Sequence, residues 1–85
     1  MSEWRVYILC CADGSLYTGI TNDIERRLDE HNHNDRMAAS YTRSRRPVEL
    51  VYEEVQPDRS AALKREAKIK QFSRQEKAEL IRRFS

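Results

Sequence analysis

Two apolar runs with alternating polar positions open the chain, and a turn separates them. The runs cover residues 4–11 and 15–20. Between them, Asp13, Gly14 and Ser15 are typical of a β-hairpin turn. Strand side chains alternate with a period of two, and the turn reverses the chain direction. The two tyrosines at positions 7 and 17 are therefore predicted to lie on one face of an antiparallel pair.

Helical spacing replaces the strand alternation in the next segment. Ile24 and Leu28 are four residues apart within residues 23–32, and residues 22–25, from Asn22 to Glu25, resemble a capping box. This spacing predicts the first helix. Residues 33–46 are polar and show no period, which predicts a loop.

A third strand and a second helix are predicted next. The alternation returns in residues 47–55 and places three apolar side chains on one face. These are Val48, Leu50 and Tyr52. Residues 59–71 then predict a helix, with Asp58 as its N-cap.

The last segment predicts a third helix and completes the fold class. Ser73 and Glu76 form a capping box, and the helix that follows has an apolar stripe of Leu80, Ile81 and Phe84. Three strands and three helices in the order ββαβαα predict an α+β fold. In it, a small three-stranded antiparallel sheet packs with the helices. At 85 residues the chain is expected to form a single domain, residues 1–85.

Charge is distributed unevenly along the chain. The net charge is only +2, but the first 40 residues carry −3 and the remaining residues +5. Clustered cations suit a phosphate backbone, although they equally suit a solvated helix face. No apolar run approaches the roughly 20 residues of a membrane span. The first residues also lack a signal-peptide pattern, so a cytoplasmic protein without membrane contact is expected.

Polar side chains are predicted to converge on the face that carries Tyr7 and Tyr17. Arg27 and His31 are four residues apart on the first helix and share one of its faces. Phenols, a guanidinium and an imidazole together suit chemistry at an anionic oxygen. Each of these residues can also have a purely structural role instead of a catalytic one. The tyrosines can serve packing, Arg27 can pair with a carboxylate of its own helix, and His31 can contact the last helix carbonyls.

Glu66 interrupts the apolar stripe of the second helix. The stripe consists of Ala62, Leu63 and Ile69. A carboxylate on the core side is costly unless it is paired, hydrogen-bonded or bound to a metal. Glu66 is therefore a candidate ligand for a hard divalent cation, Mg²⁺ or Mn²⁺. The alternatives are an ion pair with Lys70 or Lys64, or solvent exposure at the edge of the stripe.

The order and spacing of these residues resemble the GIY-YIG nuclease family, in particular its small standalone single-domain members. The first family motif falls on residues 5–7 and the second on residues 17–19. The family arginine, histidine and metal-binding glutamate fall on Arg27, His31 and Glu66. The chain departs from the pattern at Ile20, where some members carry a lysine that helps to poise a tyrosine. The resemblance extends from about residue 4 to residue 84.

The resemblance implies a divalent-metal-dependent endonuclease that hydrolyses phosphodiester bonds in DNA. One Mg²⁺ or Mn²⁺ ion on Glu66 is expected to stabilise the leaving oxygen, while Arg27 holds the phosphate. Family precedent favours Tyr17 as the base that takes the proton of the attacking water, and Tyr7 as its positioning partner. His31 is expected to hold a water or the leaving oxygen, or to relay a proton. Separately, a glycine at position 19 is expected to let backbone or DNA approach the end of the strand.

Contacts with nucleic acid are expected mainly outside this catalytic set. The candidates are Tyr41, Thr42, Arg43, Arg45, Arg46 and Lys70. Cleavage is expected to depend on DNA structure more than on sequence, as in repair or recombination, and RNA is not excluded. A protein partner that supplies specificity is also expected. The alternative function is a non-catalytic nucleic-acid-binding module on the same scaffold, and a structural protein without a nucleic-acid role is a third.

Overall fold

The computed structural model describes residues 3–84. In chain order the elements are β1 (Trp4–Cys10), β2 (Leu16–Thr21), α1 (Ile24–His33), α2 (Ser40–Arg43), β3 (Glu49–Gln56), α3 (Arg59–Lys70) and α4 (Arg74–Phe84). The antiparallel sheet has the strand order β2-β1-β3, so β1 is central. The predicted α+β architecture and the order of its long elements are confirmed. In the described part of the chain, no helix is long and apolar enough to cross a membrane.

The predicted hairpin turn sets the register of β1 and β2. The Asp13 carboxylate accepts hydrogen bonds from the Ser15 backbone N–H at 3.0 Å and from its hydroxyl at 2.6 Å. Gly14 has a φ of 83°, a left-handed conformation that favours glycine. In the resulting register Tyr7 lies opposite Gly19.

Each face of the sheet has its own apolar core. On one face, Val6 and Ile8 are fully buried against Ala62 and Ile69 of α3. On the other face, Tyr7 and Leu9 of β1 form a second buried cluster, and Tyr17, Ile24 and Leu28 pack against it. The prediction that both tyrosines lie on one face, beneath α1, is therefore confirmed.

Side-chain caps fix the starts of the long helices; those of α3 and α4 are as predicted, whereas the cap of α1 is Asp23 rather than a capping box that begins at Asn22. Asp23 accepts a hydrogen bond from the Arg26 backbone N–H at 3.1 Å. Asp58 caps α3 in the same way, with the Ala61 N–H at 2.8 Å. Before α4, the Ser73 hydroxyl and the Glu76 carboxylate exchange reciprocal bonds with each other's backbone N–H groups. Each cap satisfies helix donors that would otherwise lack partners.

The predicted strand 47–55 differs from β3 in its start and in its alternation. The Asn32 side chain bonds the Val48 backbone at both its N–H and its carbonyl, and the sheet pairing begins at Glu49, two residues after the predicted start. A register shift then makes Leu50 pair with Leu9 and Tyr52 with Ile8. The prediction that Tyr52 shares a face with Leu50 is wrong because this bulge moves Tyr52 to the opposite face.

The predicted loop 33–46 contains the short helix α2, so the prediction of three helices is wrong by one. Four helical residues are too few to show a hydrophobic period. One side chain of α2, Thr42, is fully buried. This burial anchors the segment to the tyrosine face of the sheet.

Candidate active site

The Tyr7 phenol crosses the edge strand directly above Gly19. Tyr7 is only 1% exposed. A Cβ atom built on Gly19 would lie 2.5 Å from the Tyr7 hydroxyl oxygen and 2.7 Å from its ring carbon Cζ. Gly19 therefore leaves room for the phenol of Tyr7. This is a different physical reason from the expected close approach of backbone or DNA.

Substituting alanine for Gly19 is expected to destabilise the protein by about 1–3 kcal/mol, the usual cost of overpacking a buried site. The clash falls on a buried ring that has no room to move away. Chemical denaturation of Gly19→Ala measures the cost. The same substitution in a Tyr7→Ala background should cost much less, because the colliding ring is gone. An equal cost in both backgrounds would contradict this explanation of the glycine.

A buried hydrogen-bond chain runs from Tyr7 through His31 to Thr42. The Tyr7 hydroxyl lies 2.9 Å from His31 Nε2, and His31 Nδ1 lies 2.7 Å from Thr42 Oγ1. The Thr42 hydroxyl donates its single hydrogen to the Ala39 carbonyl at 3.1 Å. Thr42 must therefore accept from His31 Nδ1–H, which leaves Nε2 to accept from the Tyr7 hydroxyl.

Burial keeps both Tyr7 and His31 neutral near pH 7. Burial raises the pKa of Tyr7 to about 12, with a further contribution from the neighbouring Tyr17, while the Arg27 guanidinium opposes the shift. Burial, followed by the positive charge of Arg27, lowers the pKa of His31 to about 4. The Tyr7 hydroxyl therefore donates its hydrogen bond to His31, and the His31 side chain has no exposed surface. A helix-end contact with carbonyls does not describe this residue.

Thr42 is placed differently from its sequence-based expectation. As a fully buried residue it cannot touch a substrate from outside, so that prediction is wrong. It instead orients His31. Sequence reasoning missed this partner because the contact joins residues 11 apart, across a loop with no periodic pattern.

Arg27 pairs with a carboxylate of its own helix and also lies at the candidate site. Its Nη1 donates to Glu30 at 3.1 Å and to the Met37 carbonyl at 2.6 Å. The guanidinium also interacts with both phenols of the site. The predicted pairing with a carboxylate of the same helix is observed, and it holds the guanidinium beside Tyr7 and Tyr17.

Glu66 lies on α3, which packs against β1 and β2 on the sheet face opposite Tyr7. Its carboxylate is mostly buried, with 18% of the side chain exposed, and it lies 3.6 Å from Lys70. It also acts electrostatically on Tyr7. Leu63, expected in the same stripe, is 39% exposed because α3 turns it away from the sheet. Ala62 and Ile69 alone hold this face of α3 against the core.

The surroundings of Glu66 fit one weakly held hard cation. Within residues 3–84 no three potential ligands among His, Cys, Asp and Glu cluster together. Mg²⁺ often binds through one or two carboxylates, with water and substrate phosphates completing its coordination. Among residues 3–84 the ion-pair partner of Glu66 is the half-exposed Lys70, and a single carboxylate in this setting is compatible with that arrangement.

Tyr17 belongs to a stack of rings that leads outward from the site. Its ring lies 5.3 Å from that of His31 and 6.0 Å from that of Tyr41, measured between centroids. The Arg45 guanidinium covers Tyr41 at 3.9 Å from the ring centroid. Arg45 in turn pairs with Asp13 at 3.2 Å. The predicted contacts Tyr41 and Arg45 therefore adjoin the site on the side of Tyr17.

The other predicted nucleic-acid contacts differ in their freedom to bind a ligand. Arg46 donates to the His31 carbonyl and to Asp35, both at 2.7 Å, and so anchors the end of α1. Arg43 is exposed on α2. Lys70 is half exposed beside Glu66. Substitution of Arg46 would therefore disturb the fold as well as any phosphate contact.

Comparison with known families identifies the scaffold. Residues 3–79 match the family model described as the GIY-YIG catalytic domain. The chain belongs to the GIY-YIG family of nucleases. This match confirms the resemblance derived from the tyrosine motifs. GIY-YIG nucleases generally depend on a divalent metal.

Small GIY-YIG relatives match nearly the whole chain. The UPF0213 protein DP2720 of Desulfotalea psychrophila is 58% identical over 93% of this chain and 71% of its own length. The UPF0213 protein SSP2268 of Staphylococcus saprophyticus is 53% identical over 95% of this chain and 96% of its own length. The chain thus spans more than two thirds of the length of each of these relatives.

Two solution NMR structures share the fold. The protein EF2693 from E. faecalis is 38% identical, with a TM-score of 0.64 over 99% of this chain and 88% of that one. The UPF0213 protein BH0048 from Bacillus halodurans is 41% identical, with a TM-score of 0.57 over 95% of this chain and 83% of that one. The GIY-YIG architecture of this chain therefore has experimental counterparts.

Proposed function

We propose that this protein is a divalent-metal-dependent endonuclease that hydrolyses phosphodiester bonds in DNA. The observation that carries the proposal is the set of groups around the Tyr7 phenol, which are His31 at 2.9 Å, the Tyr17 ring at 6.5 Å between centroids, and the charged side chains of Arg27 and Glu66. Both side chains act electrostatically on it, although they come from different helices. A cation, a carboxylate and a phenol at one point suit a phosphate that gains charge in its transition state.

Tyr17 is the proposed base and Arg27 the proposed phosphate ligand. Tyr7 is buried and donates a hydrogen bond to His31, whereas Tyr17 is partly exposed and can meet the attacking water. A phenol must be activated to act as a base near pH 7. The positive charge of Arg27, which interacts with both phenols, is placed to meet negative charge that develops there during the reaction.

Tyr7, His31 and Thr42 serve as positioning residues in this proposal. Their hydrogen-bond chain fixes the Tyr7 ring above Gly19 and beneath Arg27. Glu66 is the proposed ligand of one Mg²⁺ or Mn²⁺ ion. When bound there, the ion would supply positive charge to the leaving oxygen.

The substrate backbone is proposed to contact cationic and aromatic groups around the site. These are Tyr41, Arg43, Arg45, Arg46 and Lys70. All five are proposed to contact the DNA backbone, and none is proposed to read the edges of the bases. Cleavage is therefore proposed to depend on DNA structure more than on sequence. Processing of branched or damaged DNA, as in repair or recombination, fits such selectivity.

Cleavage of a panel of labelled nucleic acids tests this function. The panel contains single strands, duplexes, nicked duplexes, flaps and branched junctions, each offered with Mg²⁺, with Mn²⁺ or with EDTA. Cleavage of at least one DNA in the presence of metal, and none with EDTA, is expected. An RNA version of the best substrate separates DNA from RNA preference. Tight binding without cleavage under all metal conditions would instead favour a non-catalytic nucleic-acid-binding module.

A further inference from the structure

A groove of about 450 Å³ lies beside the candidate active site, at the end of the sheet where β2 finishes and β1 begins. Arg27 and Glu30 of the site line part of it. Its remaining polar lining comes from residues that the proposed reaction does not use. These are Trp4, Thr21, Asn22, Arg26 and Arg59. The groove is therefore continuous with the site through Arg27.

The lining of the groove favours an anionic ligand. It contains three arginines and one glutamate. That glutamate, Glu30, is shared between Arg27 at 3.1 Å and Arg26 at 3.8 Å, so two cations offset its charge. Arg59 forms no ion pair with any residue in the range 3–84, and its guanidinium lies 5.9 Å from the ring centroid of Trp4. Arg59 is thus a cation available to a ligand, beside an aromatic surface.

The position of Arg59 relates the groove to the scissile phosphate. Arg59 and Glu66 are seven residues apart on α3, which is two helical turns. They therefore share a helix face at a separation of about 10 Å. At about 3.4 Å per stacked nucleotide, a strand held at Glu66 reaches Arg59 within roughly three nucleotides.

We propose that this groove binds a single-stranded flank of the DNA substrate. Arg26 and Arg59 hold its phosphates, and an unpaired base lies against Trp4, since base–aromatic contact tolerates any sequence. The proposal rests on the proposed nuclease function and adds a substrate class to it. DNA with an unpaired segment next to the cut, such as a flap or an overhang, is bound better than a continuous duplex.

Intrinsic fluorescence tests the groove directly because Trp4 is the only tryptophan of the chain. The intact protein is titrated in EDTA with a short single-stranded DNA, an abasic strand of equal length and a blunt duplex. Strong quenching by the single strand is expected, with several-fold weaker quenching by the other two. Absence of quenching, or equal quenching by duplex and single strand, would overturn the proposal.

Charge removal provides the second readout. Replacing both Arg26 and Arg59 with glutamine should flatten the salt dependence of single-strand binding by about 1.4 in log–log slope, or about 0.7 per lost contact. The matched control Lys77→Gln/Arg83→Gln removes the same charge from α4, which packs on β3 at the edge of the sheet opposite β2. Equal losses in the two double variants would overturn the groove as the binding site.

The EDTA condition separates failure of the groove from failure of the nuclease function. Binding is measured without any cleavage, so an inactive protein still reports on Trp4 and the two arginines. Quenching without cleavage in the metal assays would refute the nuclease and leave the groove. Cleavage without quenching would refute only the groove.

Discussion

Replacing Glu66 with glutamine is expected to remove metal-dependent cleavage while the fold survives. Glutamine keeps the shape of the side chain and removes the charge proposed to hold the cation. Metal stabilisation of transition-state charge contributes several kcal/mol, and each 1.36 kcal/mol is tenfold in rate. A loss on the order of 1,000-fold is therefore expected. Single-turnover cleavage across a range of Mg²⁺ concentrations measures it.

The stability of this variant should stay close to that of the original protein. The polar partner of Glu66 among the described residues is Lys70, at 3.6 Å and half exposed, and such pairs contribute little. Glu49→Gln removes an equal charge from an exposed position on β3 and should cleave normally. Undiminished Mg²⁺-dependent turnover by folded Glu66→Gln would remove Glu66 from the mechanism.

Local chemistry explains why the sequence predicted most of the fold. The hairpin depends on a turn of Asp13, Gly14 and Ser15, whose side chains and backbone bond within two residues. The helix starts depend on caps that act over three residues. The common face of Tyr7 and Tyr17 follows from strand alternation alone. Each feature is encoded by neighbours in sequence.

The missed features depend on contacts between distant segments. The bulge at Val51 redirects Tyr52, and its position is fixed by the packing of α3 and α4 on that face rather than by local alternation. The contact between His31 and Thr42 requires α2 to fold back under α1. Hydrophobic periodicity carries no information about either arrangement.

In the candidate site, too, contacts within one element were predictable from the sequence and contacts between distant elements were not. Spacing along α1 predicted that Arg27 and His31 share a face, and both interact with Tyr7. That Glu66 acts on the same phenol was available only through family resemblance, since α3 packs on the opposite face of the sheet. Its contacts with the edge strand β2 bring the carboxylate close enough to act.

Replacing Arg27 with alanine is expected to lower the cleavage rate far more than DNA affinity. The guanidinium is held beside both phenols by Glu30 and the Met37 carbonyl, where we propose that it meets charge that develops only during reaction. Loss of one such donor typically costs about 100- to 1,000-fold in kcat. Groups that act on the transition state reduce kcat rather than binding. Single-turnover rates at saturating enzyme, compared with binding measured in EDTA, separate the two effects.

Two further variants make the Arg27 result specific. Arg27→Lys keeps the charge but lacks the planar guanidinium that matches two phosphate oxygens. Its cleavage rate should therefore fall between those of the original protein and Arg27→Ala. Arg83→Ala removes an arginine that also pairs with a glutamate of its own helix, at 3.6 Å on α4, and should leave the rate unchanged. Thermal unfolding of each variant shows that the rates are measured on folded protein. If Arg27→Ala loses affinity and rate in equal measure, Arg27 is an ordinary phosphate contact, and the transition-state charge must be met by other groups.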